Sequence, residues 1–92
     1  MGPACEVLLE SEPPPGAVDA LLSAAANCVR RTRKGRVWYI CVRERPISIE
    51  MTDAVTVELA AGCNSEEDYT ILRELAAVLV SEFGGLASEP SK

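Results

Sequence analysis

Between Val37 and Ala61 the sequence holds three apolar segments separated by two short polar breaks, and no other stretch constrains the fold as strongly. Val37–Val42 is a continuous apolar run with aromatic and β-branched members, the composition of a central strand. Ile47–Met51 and Val55–Ala61 alternate with the two-residue period of strands that bury one face. A four-residue turn at Arg43–Pro46 would pair Val42 with Ile47, Ile40 with Ile49 and Trp38 with Met51. A three-residue turn at Thr52–Ala54 would pair Met51 with Val55, Ile49 with Val57 and Ile47 with Leu59. Both turns place every large aliphatic side chain on one face, so the segment reads as an antiparallel meander.

The flanking segments supply the rest. Cys5–Glu10 reads as a first strand, ended by Pro13-Pro14-Pro15 because proline cannot donate to a ladder. A helix is expected from Gly16 to Arg31, with Val18, Leu21, Leu22, Ala25, Cys28 and Val29 as its apolar stripe. Asp19 near its start and Arg30 and Arg31 at its end suit the helix dipole. A second helix is expected from Glu66 to Phe83, with Ser65 as cap and Asp68 as the acid of a capping box. Its buried stripe is Tyr69, Leu72, Leu75, Ala76, Leu79 and Phe83, and Gly84-Gly85 ends it.

The expected class is α+β, a two-layer sandwich in the order β-α-β-β-β-α. Its sheet is mainly antiparallel, with both helices on one face because the other face is polar. The position of the first strand is open; a right-handed crossover would allow it parallel to Val37–Val42. A chain of 92 residues is one domain, with a core over about residues 5–85 and tails 1–4 and 86–92 expected to fray.

Composition narrows the functions. The chain has no histidine, which removes Ser-His-Asp and Cys-His triads and the commonest metal ligand. Cys5, Cys28, Cys41 and Cys63 lack the close spacing of a structural zinc site. Cys5 and Cys28 read as small buried side chains, and Cys63 stands just before a helix. No catalytic, metal-binding or cofactor-binding residue is expected. No apolar stretch reaches the roughly 20 residues that span a bilayer. The first residues lack a basic and apolar leader, and Glu6 stands where a myristoylation motif would want Ser or Thr. The expectation is a cytoplasmic protein with no membrane partner.

The net charge of −5 conceals two regions of opposite sign. Residues 30–45 hold seven positive charges and one negative, a net +6, against two positive and thirteen negative elsewhere, a net −11. Arg30, Arg31, Arg33, Lys34 and Arg36 are therefore candidate contacts to phosphate or to an acidic partner. Helix, three strands, helix is also the element order of double-stranded-RNA-binding domains. Those domains place lysines at the start of the second helix, where this chain carries Glu66, Glu67 and Asp68, so no residue is carried over. The candidate interaction face is Tyr39, Arg43, Arg45, Ser48, Glu50, Thr56 and Glu58, with Glu50 and Glu58 as diagonal neighbours. If Val55–Ala61 is an edge strand, its backbone invites strand addition. The leading expectation is a small non-enzymatic module that binds another protein or itself as a homodimer. A nucleic-acid binder using Arg30–Arg36 is the alternative, and a small enzyme using Tyr39, Glu50 and Glu58 is the second.

Overall fold

The structure, a computed structural model, describes residues 2–26, 28–31 and 36–92, with Cys28 and Arg31 as backbone only. Its elements are β1 (Ala4–Leu9), α1 (Ala17–Ala25), β2 (Cys28–Arg31), β3 (Val37–Val42), β4 (Arg45–Met51), β5 (Thr56–Ala61), α2 (Glu66–Phe83) and β6 (Gly85–Ala87). The six strands form one open antiparallel sheet in the order β2-β3-β4-β5-β1-β6. The class is α+β, as the apolar periodicity requires. Val7, Trp38, Ile40, Ile47, Ile49, Val57 and Leu59 form the buried face, and both helices close over it with Val18, Leu22, Ile71, Leu72, Leu75 and Leu79.

Four strands, not three, lie between the helices. The helix expected to reach Arg31 stops at Ala25; Ala26 is extended (φ −131°, ψ 156°), and Cys28–Arg31 pair with β3. The pairing gives the outer backbone groups of β3 partners that a longer helix would leave to solvent, and β-branched Val29 suits a strand. Arg30 and Arg31 are thus strand residues, not the cationic end of a helix. Helix α1 is tied to the sheet instead by Asp19, whose carboxylate accepts a 2.7 Å hydrogen bond from the Trp38 indole.

The meander has the expected faces, but both hairpins are registered two residues away from the expected pairs. Arg43 and Glu44 alone make the first turn, at φ 50° and 65°, so Ile40 faces Ile47 and Trp38 faces Ile49. Positive φ at both positions matches the right-handed twist of the strands that the turn joins. The second connection is longer, and Ile49 faces Leu59. There the Asp53 carboxylate accepts hydrogen bonds from the amides of Val55 and Thr56, 2.9 Å each. A slip of two leaves every side chain on its own face, which is why patterning alone could not detect it.

Strand β1 is antiparallel, not parallel, and sits between β5 and β6. Strand β5 is therefore interior, and strand addition at Val55–Ala61 is excluded. The sequence ends expected to fray are paired: β6 runs along β1, and Ser91 bridges to Ala4. Gly85, at φ 130°, makes that contact feasible, since a Cβ there would collide with the Leu8 carbonyl.

Candidate interaction face

Strand alternation decides what the uncovered face carries. Core-facing residues of each strand are separated by residues that point away, and these align into rows across the sheet. One row reads Arg30, Tyr39, Ser48, Ala60, Ala4 from β2 to β1. The next reads Val37, Glu50, Glu58, Glu6, and beyond it Thr56 faces Leu8, which faces Leu86. Tyr39 and Leu8 are each about half exposed, and Leu86 is 77% exposed.

Arg30, exposed and opposite Tyr39, joins the expected face because α1 ends early. The two candidate sites, basic segment and sheet face, thus meet at this residue. Arg36 is also exposed, and its Nε donates to the Met51 carbonyl at 3.2 Å. Arg33 and Lys34 lie outside the described residues, and of Arg31 only the backbone is described.

A concavity of about 500 Å³ opens beside Tyr39, with Arg30, Cys41, Pro46, Ser48 and Ala60 in its lining. Its lining is largely apolar, and Ser48, Ala60 and Pro46 are too small to fill the space beside Tyr39. Neither Glu50 nor Glu58 borders it.

Glu50 and Glu58 are not diagonal neighbours but direct cross-strand partners, and Glu58 in turn faces Glu6. All three are exposed, and among the described residues none joins an ion pair. Like charges directly opposite one another in a sheet are destabilising, so the row is held at a cost to stability.

Arg43 and Arg45 do not belong to this face. The Arg43 guanidinium reaches Glu67 at 2.9 Å and Glu74 at 3.2 Å on α2. Arg45 reaches the fully buried Asp68 at 2.9 Å. Asp68 also accepts hydrogen bonds from the Ser65 amide (3.0 Å) and hydroxyl (2.7 Å), completing the capping box. Burial works to raise the Asp68 pKa, but the Ser65 hydrogen bonds and the Arg45 charge outweigh it and hold the carboxyl below the usual range. Sequence reasoning read Asp68 as a cap but missed this anchor between hairpin and helix; Arg45, in phase with Ile47 and Ile49, was the signal available.

The thiols divide as their surroundings dictate. Cys5 is buried, and desolvation, helped by Glu89, pushes its pKa up to about 11. Cys63 is exposed, and the Cys28 side chain lies outside the described atoms. Among the described residues no group of three or more Cys, Asp or Glu is arranged to hold a metal ion. No described helix is long and apolar enough to cross a membrane.

Comparison of the chain with protein-family models, with curated proteins and with solved structures returned no match.

Proposed function

We propose that this chain is a non-catalytic interaction module that binds another protein through the uncovered face of its sheet. One observation carries the reading: the face presents exposed Tyr39 beside a largely apolar concavity lined by Arg30, and a separate row of three glutamates one pleat away. Aromatic and arginine side chains around a desolvatable pocket are the usual anchors of protein interfaces. The edges offer less. Strand β2 carries two arginines in four residues, and beyond β6 the chain runs through Glu89 and Pro90, features that block strand addition. The glutamate row would repel a phosphate backbone brought to Arg30, which weighs against nucleic acid. Separation of the carboxylates from the concavity weighs against the enzyme reading. The same proposal places the protein in the cytoplasm, a reducing compartment in which Cys5 stays a thiol.

A photo-reactive phenylalanine analogue placed at Tyr39, and separately at Val78 on the outer side of α2, tests this reading. Crosslinked adducts in cell extract are expected from position 39 and not from position 78. Equal yields, or none from position 39, would overturn it.

A further inference from the structure

We propose that the occupant of this face is a basic amphipathic helix of another protein, laid across the strands with its cations over Glu6, Glu58 and Glu50. This rests on the interaction reading above and names the partner's chemistry. The three carboxylates sit on adjacent strands at one level of the sheet. Neighbouring strands are about 4.8 Å apart, so the row spans about 10 Å. A helix rises about 1.5 Å per residue, so cations at positions i, i+4 and i+7 span about 10.5 Å and meet all three carboxylates. An extended segment presents same-face residues about 6.8 Å apart and would miss the third by about 4 Å. The parallel row one pleat away carries Ser48 and Ala60, small enough to admit a helix, and the concavity beyond that row, beside Tyr39, receives an apolar side chain from the flank of the helix opposite the cations. Arg30 stands at the β2 end of that row, where it would meet the negative end of the helix dipole.

A second copy of this chain fits less well. Among the described residues, Arg43, Arg45 and Arg73 are already held by the chain's own acids, which leaves a second copy fewer cations to offer this row. In the free protein the row is repulsive, and a partner's cations would relieve that repulsion.

The test is an amide-shift titration of the isotope-labelled full chain with an 18-residue helical peptide bearing lysines at i, i+4 and i+7 and a leucine on the opposite flank. An isomer of identical composition, with its lysines spread around the helix, serves as control. Shifts are expected at Glu6, Glu50, Glu58, Tyr39 and Ser48. Glu58→Lys should weaken binding at least about tenfold, while Glu66→Lys, the same charge change at the start of α2, should alter it less than about twofold. Without peptide, Glu58→Gln should raise the thermal midpoint. Equal binding of the isomer, equal loss in both lysine variants, a lowered Glu58→Gln midpoint, or self-association through the face would each overturn the proposal. If position 39 still crosslinks selectively but to surfaces without cations, this inference fails and the interaction reading stands. If position 39 shows no selectivity, both fail.

Discussion

At the scale of single residues, burial decides which of the arginine contacts matter. Arg43 and its two acids are each about half exposed, so water and salt screen the pairs and Arg43→Ala should cost less than about 1 kcal/mol. Asp68 has no exposed surface, and removing the cation would leave its charge buried with only the Ser65 contacts. Arg45→Ala should therefore cost about 2–3 kcal/mol, the larger effect of the two, as read from urea midpoints. A pH dependence follows from the same group. Its folded-state pKa lies below that of the unfolded chain, so the unfolded chain binds more protons in acid. The stabilisation is complete above about pH 4 and is lost as the pH falls through the folded value. Asp68→Asn should flatten the acid limb of the stability curve, and an unchanged limb would show that other carboxylates set it.

Among the elements, β2 is where local sequence and tertiary structure part. The apolar spacing through Val29 fits a helix stripe, yet the open side of β3 captures the segment as a strand. Cross-strand nuclear Overhauser effects between Val29 and Ile40, and between Arg30 and Tyr39, should be seen. Effects between residues three apart over positions 26–31 would instead show a continued helix. Strand β6 depends on Gly85, whose φ of 130° and contact with Leu8 leave no room for a side chain. Gly85→Ala should detach β6 and cost about 1–3 kcal/mol, visible as lost amide-exchange protection at Leu86 and Ser88. Helix α2 was legible almost in full, since capping residues, periodicity and a terminal Gly pair all agree there.

For the whole molecule, the main result is that the first strand lies inside the sheet. Strand β1 is paired on both sides and lies against α2, so the sheet closes only when residues far apart in sequence meet. Deleting residues 1–9 should leave an unfolded chain, seen as collapsed amide dispersion, whereas a frayed tail could be removed without effect. The same arrangement assembles the proposed interaction face, because Glu6 completes the glutamate row begun by Glu50 and Glu58.

Local physics, written in the sequence, determined which side of β1, β3, β4 and β5 is buried and where α2 begins and ends. These follow from two-residue and 3.6-residue periods and from capping, which need no distant partner. Only the tertiary structure decided the strand order, the two-residue registers, the fate of residues 28–31 and the union of Arg30 with Tyr39. A shift of two residues or a change of neighbouring strand leaves the hydrophobic pattern unchanged, so the choice falls to turn geometry and to the pairing of backbone groups across the whole sheet.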